Sequence, residues 1–577
     1  MRKQPNVLLF MVDEQRYPTP YDGPVLREWM EQNLCAQKLL RERGVEFHRH
    51  YAQSTACAPS RTSLFTGQYP TLHGVSQTDG MGKTAFDPGM SWLDPDTVPT
   101  MGDWFRAAGY ETYYKGKWHI SHADIIVPGT KQSLMTTQVA GTKGLPIPEN
   151  IDYYRAADRL DRFGFSGWIG PEPHGSDPAN SGWIRDPQYR HEALDLLDAL
   201  DRRKDDTPWL FVNSYVNPHD IVFYGMVWDV VFGFPSPTLE QVPPIPEPPT
   251  RYEHLGTKPR AQKSYVDTYG QMFLPQPPDD RYRRFYYYLQ AEVDKYILEV
   301  YRRLERSRFF ENTLIVFTSD HGDTLGAHGG MHQKWYQAYE ETIHVPLIFS
   351  GPLVAEHGRS EYPLTSHADL TPTLLGFCDV DVAEAARKLA VSHTETRPLV
   401  GRDLSHAVRG TAPVKPEPVF FMTYDNVSQG LSQITGRRTW KAVETPNQVE
   451  TVIVEIDGEI WKYSCYDQCI PTPYDGLITN QNILDIIACK KDVDPEYEMY
   501  NVTCDPYEET NLCFPANETV RSRELRPRLQ ELLDEQRRQK CLKPYVNQGA
   551  ERAGGEGDVA AVEVAEGSTQ KPAFAQL

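Results

Sequence analysis

Three short stretches of this 577-residue chain are apolar without interruption, and each ends in carboxylates or histidine. Val7-Leu8-Leu9-Phe10-Met11-Val12 runs into Asp13-Glu14. Trp209-Leu210-Phe211-Val212 leads through Asn213 to Asn217-Pro218-His219-Asp220. Leu314-Ile315-Val316-Phe317 leads through Thr318-Ser319 to Asp320-His321-Gly322. A strand that is apolar at every position must be covered on both faces. That restricts the chain to an α/β architecture, a large and mostly parallel sheet sandwiched by helices. Such sheets place ligands outside the carboxyl ends of their strands, so Asp13, Glu14, His219, Asp320 and His321 become candidate site residues. Tyr110–Tyr114 reads as another strand, followed at once by Lys115-Gly116-Lys117-Trp118-His119, and Val345–Phe349 as one more.

Composition narrows the function. The chain is 40% hydrophobic and 24% charged, with 79 acidic and 59 basic residues and a formal net charge of −20. That balance argues against general nucleic-acid binding and for solubility, and leaves room for a local basic pocket. No apolar run approaches the length of a membrane span. The segment Val7–Val12 is short, ends in two acids and lacks a small-residue cleavage site, so it reads as a strand and not a signal peptide. The expectation is a cytoplasmic protein with no membrane partner. Nine cysteines over this length are not a disulfide-scaffold density. The loose group Cys465, Cys469, Cys504 and Cys513 lacks the paired spacing of a zinc site.

One stretch does not fit ordinary helix grammar. Cys57-Ala58-Pro59-Ser60-Arg61-Thr62-Ser63-Leu64-Phe65-Thr66-Gly67 starts like a helix, with Pro59 where a missing N–H is tolerated and Gly67 as a stop. Arg61 then sits in the first turn, where the helix dipole favours anions. A cation among free N–H groups makes sense if an anion lies between them. Cys57 would be held beside that anion.

The sequence C-x-P-S-R followed by x4-T-G resembles the signature of type I sulfatases, in the alkaline phosphatase superfamily. The resemblance implies that Cys57 is oxidised by a maturation enzyme to formylglycine, an aldehyde hydrated to a geminal diol. It implies that Asp13, Glu14, Asp320 and His321, with the modified Cys57, surround one divalent metal ion. Asp13-Glu14 stands where the family usually has Asp-Asp or Asp-Gln. His321 stands where an asparagine is frequent, which opens manganese as well as calcium and looks closer to the phosphonate monoester hydrolase branch. Gly116-Lys117-Trp118-His119 is similar to a further sulfatase element. By that likeness Lys117 contacts the sulfate and His119 helps to expel it. His219 donates to the ester oxygen, and Lys334 binds sulfate and the leaving oxygen. Asp320 accepts the proton of the attacking hydroxyl, and Arg61, Lys117 and Lys334 stabilise the equatorial oxygens. The function expected is hydrolysis of an aryl or alkyl sulfate monoester. A phosphonate monoester or phosphodiester hydrolase with the same pocket is the alternative, and a non-catalytic anion-binding relative stands behind both.

The rest of the chain sets the organisation. Residues 1–380 carry every candidate site residue. Within them a proline-dense excursion, about 232–280, cannot be regular helix or central strand over 232–249. Tyr189–Arg203 and Tyr282–Glu305 read as helices, the latter a packing helix, and Thr100 as the N-cap of another. His328 and His332 read equally as loop histidines with local hydrogen bonds or as pocket residues, and Asp369 reads as a helix cap rather than a catalytic residue. In 381–546 a hairpin turns at Asp457-Gly458, and Leu525, Leu529, Leu532 and Leu533 mark a helix face, as for a smaller α+β domain with an antiparallel sheet. Residues 547–577 have no core pattern and read as a tail. The excursion and tail make a homo-oligomer plausible.

Overall fold

A computed structural model describes residues 4–545, except 81, 142, 174–176, 226, 235–237, 274–275, 277–278, 429, 431–441 and 468–492. The apolar runs become the centre of a seven-stranded sheet. Its strands are β1 (Asn6–Asp13), β2 (Gly44–Phe47), β3 (Glu111–Gly116), β4 (Trp209–Pro218), β5 (Thr313–Ser319), β6 (Leu347–Ser350) and β7 (Arg359–Glu361). Their spatial order is β7-β2-β6-β5-β1-β4-β3. Only β6 runs against its neighbours β2 and β5; every other pairing is parallel. Every residue of β1, β4 and β5 is buried. Alternate side chains serve opposite faces, as strand geometry requires. Val7, Leu9 and Met11 join one core, and Leu8, Phe10 and Val12 join the other.

Helices seal both faces. Cys35–Glu42 (α1), Gly182–Arg202 (α4) and Arg281–Glu305 (α5) cover the side of Phe10, through Leu40, Leu197 and Ile297. Cys57–Thr66 (α2), Met101–Ala107 (α3) and Leu370–Phe377 (α6) cover the side of Leu9, through Leu64, Phe105 and Leu374. Thr100 caps α3 in a reciprocal pair with Asp103. The helix read as Tyr189–Arg203 begins earlier, at Gly182. Its first N–H groups are satisfied from a distant segment, Gly182 and Trp183 donating to Asp220 at 2.9 and 2.8 Å. Val345–Phe349 splits at Pro346, which has no N–H for the ladder. Within the excursion, short turns are joined by a helix, Arg260–Met272, which the proline density concealed.

A four-stranded antiparallel sheet follows: β8 (Val419–Thr423), β9 (Gln448–Ile456), β10 (Glu459–Asp467) and β11 (Glu496–Asn501), in that order. The β9–β10 hairpin turns at Asp457 (φ 55°) and Gly458 (φ 81°), the paired left-handed residues of a twist-matched turn. One face packs on α7 (Val520–Lys540) through Leu525, Leu529 and Leu533. The other packs on Tyr265, Trp335 and Tyr339 of the preceding region. The range read as 1–380 and residues 381–543 of the range read as 381–546 belong to one compact unit, Met1–Lys543. The tail read over 547–577 lies outside the described residues, as does Cys469. Among the described residues no helix is long and apolar enough to cross a membrane.

Charged groups join the two sheets. Lys462 of β10 is 1% exposed, with its Nζ 2.7 Å from Glu340 Oε1 and 2.8 Å from Glu508 Oε1. Replacing one partner of such a pair strands the other charge away from water. Lys462→Met is expected to lower stability by about 3–5 kcal/mol, read as a fall in the urea midpoint; an unchanged midpoint would show the two sheets joined by apolar contacts alone.

Candidate active site

Register gathers the site. Asp13 pairs with Pro218, Val12 with Ser319, and Gly116 with Ser214. The residues that follow, Lys117, His219 and Asp320, therefore emerge at one sheet edge, as parallel strands require. Helix α2 points its N-terminus there, with Ala58 N–H donating to Thr78 Oγ1 at 3.2 Å. It closes at Gly67 (φ 63°), whose N–H bonds to Ser63 O at 2.9 Å.

Cys57 Sγ lies 3.5 Å from Asp13 Oδ1 and 3.2 Å from His321 Nε2. His321 Nε2 is 3.8 Å from both Asp13 Oδ1 and Asp320 Oδ1. One ligating atom from each of Asp13, Cys57, Asp320 and His321 falls within 4.8 Å of the others, and all four residues are buried. Two carboxylates, a sulfur and an imidazole at that spacing fit a divalent cation. Glu14 is not in this group of four. Its Oε2 accepts from Lys334 Nζ at 2.9 Å, while its Oε1 is buried without a hydrogen-bond partner, as an oxygen awaiting a cation would be. Tyr286 of α5 holds that turn, donating to Glu14 O and accepting from Arg16 N–H. The helix read as packing only thus also supports the site.

Burial penalises every charge here, and neighbours decide which survive. It would raise the Asp13 carboxyl, but Lys117, His219, His321 and Lys334 outweigh it and hold the group well below its ordinary value. Lys117 Nζ is paired directly with Asp13 Oδ2. Glu14 goes the other way, raised well above its ordinary value by burial that Lys334 only partly offsets. Half-buried His219 is pushed well below its ordinary value, by burial and then by Lys117. Its ring is neutral at neutral pH: it can donate an N–H hydrogen bond but carries no spare proton.

Arg61 is held by acceptors of the protein. Nη1 donates to Asp320 Oδ2 at 3.0 Å and Nε to Trp118 O at 2.9 Å. Nη2 is shared among Tyr114 Oη, Ser214 Oγ and Lys117 O. The guanidinium is fully buried, and its Nη1 also lies 3.9 Å from Asp13 Oδ2. The anion that explains a cation in this first turn is therefore a strand-end carboxylate, Asp320. His119 is in the left-handed region (φ 58°), with its N–H on Glu172 Oε1 at 2.8 Å and Nε2 2.6 Å from Asp79 Oδ1. Asp79, Glu172, Tyr114 and Ser214 carried no motif and were not anticipated. His328 lies between Glu253 and Glu341, 3.2 Å from each. His332 lies against Tyr269 and Tyr282. Asp369 caps Ser366 N–H and pairs with Arg402.

Known proteins match this arrangement. The sequence model of the Sulfatase family matches residues 5–380. A choline-sulfatase of Rhizobium meliloti is 29% identical over 66% of this chain and 69% of its own length. A solved putative sulfatase of Bacteroides thetaiotaomicron superposes with a TM-score of 0.60 at 18% identity, covering 95% of this chain and 96% of that one. The phosphonate monoester hydrolase of Agrobacterium radiobacter does so with a TM-score of 0.56 at 18% identity, covering 92% and 96%.

Two outcomes follow from the geometry. Lysine cannot span Trp118 O, Asp320 and Ser214 together. Arg61→Lys is therefore expected to cost about 1–3 kcal/mol in urea unfolding; full stability would show those contacts to be dispensable. Burial would lower the His328 ring, but Glu341 and Glu253 prevail and hold it up at about 9 against an ordinary 6.5. A raised folded value gives stability that is complete below pH ~6.5 and lost as pH rises through about 9. The gap in unfolding midpoint between wild type and His328→Gln should shrink across that window, and a constant gap would exclude a charged ring.

Proposed function

The chain belongs to the sulfatase family, and on that premise we propose that it hydrolyses aryl or alkyl sulfate monoesters through a nucleophile derived from Cys57. The observation that carries this is the position of Cys57. Its Sγ stands where an attacking oxygen would stand, at a helix N-terminus, within 3.5 Å of Asp13 and His321. A bare thiol lacks a second hydroxyl, so an S-sulfonate formed on it would depend on water for release. Conversion to formylglycine would supply a hydrated aldehyde, with one hydroxyl to attack sulfur and a second to release sulfate. Asp13, Asp320 and His321 would hold the metal, with Glu14 Oε1 beside them. A calcium or manganese ion there would offset the ester's charge and favour the ionised form of a nearby hydroxyl.

The remaining work belongs to side chains. Lys117 and Lys334 are ammonium groups fixed on Asp13 and Glu14, and they can turn to the oxygens of an entering anion, the electrostatic contribution that usually dominates. Neutral His219 can donate its N–H to the departing oxygen, and the anionic ester would itself raise the ring's affinity for a proton. His119 would take the proton whose loss releases sulfate. Aromatic rings flank three of these groups. Phe223 meets His219 edge-on at 6.3 Å, Trp92 lies 5.6 Å from His119, and Trp335 follows Lys334 in the chain. Those rings favour an apolar or aromatic alcohol. His321 in place of an amide supports a second reading, phosphonate monoester hydrolysis in the same pocket.

The test is a side-by-side assay of 4-nitrophenyl sulfate and a phenyl phosphonate monoester. Higher kcat/KM on the sulfate is expected, and a higher value on the phosphonate would reverse the ranking. Cys57→Ala should remove turnover while sparing the unfolding midpoint, and chelation should remove activity that added calcium or manganese restores. Mass spectrometry of the Cys57 peptide from active protein should find the aldehyde; unmodified thiol alone would defeat the formylglycine route.

A further inference from the structure

His119 is pinned from two sides by carboxylates of different segments. A non-glycine residue in the left-handed region is held there at a cost of about 1–2 kcal/mol, so something must fix it. Glu172 takes its backbone N–H, and Asp79 takes its ring at Nε2. The Asp79 and His119 side chains are 5% and 7% exposed, so their 2.6 Å contact is shielded from water. A carboxylate on one ring nitrogen sets the tautomer and leaves Nδ1 as the basic atom.

The segment carrying Asp79 is itself fastened. Lys83 is 1% exposed, and its Nζ lies 3.3 Å from Asp425 Oδ1 and donates to Gln77 Oε1 at 2.9 Å and Asn426 O at 2.8 Å. Gln77 Nε2 donates to Tyr424 O at 2.7 Å. The second oxygen of Asp425 accepts from the indole of Trp335 at 2.9 Å, next to Lys334. Residue 78, between Gln77 and Asp79, bonds the N-terminus of α2. A clasp between residues 77–83 and 424–426, the chain that leaves β8, therefore touches the Cys57 helix, His119 and the Lys334 loop together.

We propose that Asp79 is the positioning residue of His119, and that the Lys83–Asp425 pair of the clasp holds Asp79 in place. The inference rests on the sulfatase reading of the site. Asp79 acts through His119, by fixing Nε2 so that Nδ1 is the basic atom and by stabilising the ring once it has taken a proton. Among the described residues, Glu172 takes the backbone N–H of His119, and His219 is an ionisable neighbour of the same ring.

The test compares wild type with Asp79→Asn and Asp79→Glu, fully matured, on 4-nitrophenyl sulfate across pH. Asn preserves shape but presents an amide to Nε2. Its kcat should fall at least about tenfold, within the 10²–10⁴ that general-base help contributes. KM should stay within about threefold, the unfolding midpoint should hold, and the acid limb of the pH–rate profile should move to lower pH as the carboxylate is lost. Asp79→Glu should recover part of kcat. If Asn has no measurable rate, activity retained in Glu supports the proposal. Wild-type kcat in Asn overturns it, as does an unmoved acid limb or equal loss in both variants with a lowered midpoint. A wild type inactive on every sulfate ester overturns the sulfatase reading first, and this one with it.

Discussion

Asp13 and Asp320 are two carboxylates at 0% exposure on neighbouring strand ends, and the site is built to tolerate them. Isolated ionised carboxylates in such a place would be untenable. Arg61 answers Asp320, Lys117 answers Asp13, and His321 stands 3.8 Å from both. These partners come from three separate elements that converge only when β1, β3 and β5 share an edge. Folding of the sheet and assembly of the charge cluster are thus one event. The same charges leave a place for a divalent ion between the acids, with cationic groups at its margin.

The constraint redistributes roles among the basic residues. Arg61 is bonded to Asp320, Trp118 O and the hydroxyls of Tyr114 and Ser214, and so braces the Asp320 carboxyl. Lys117 and Lys334 are each paired with a strand-end acid, Asp13 and Glu14. His219 is held neutral first by burial and then by Lys117, whereas Asp13 stays ionised against burial because Lys117 and its other basic neighbours outweigh it.

The antiparallel sheet supplies none of the ten residues expected in the site, yet it is not an accessory. The chain leaving β8 brings Asp425 to Lys83 and Trp335, and β10 brings Lys462 to Glu340. Buried polar groups that must all be satisfied specify one relative placement of the two sheets. The loops that carry Lys334 and Asp79 are set by that placement.

The uninterrupted runs at Val7, Trp209 and Leu314 determined a sheet buried on both faces, because no other arrangement covers every position. Their abrupt ends marked Asp13, His219 and Asp320, and the Cys57 stretch marked the helix that meets them. Hairpin and helix signals at Asp457-Gly458 and Leu525–Leu533 survived for the same reason: each is a local rule about φ or periodicity. What only the tertiary structure decided involves partners far apart in sequence. Arg61 finds its anion 259 residues away in Asp320. Gly182 begins a helix because Asp220 accepts its N–H, and Tyr286 of a packing helix braces Glu14. Asp79 meets His119 across 40 residues with no motif around it. Local sequence carries periodicity and backbone preference, whereas the pairing of buried charges is a property of which strand ends the fold brings together.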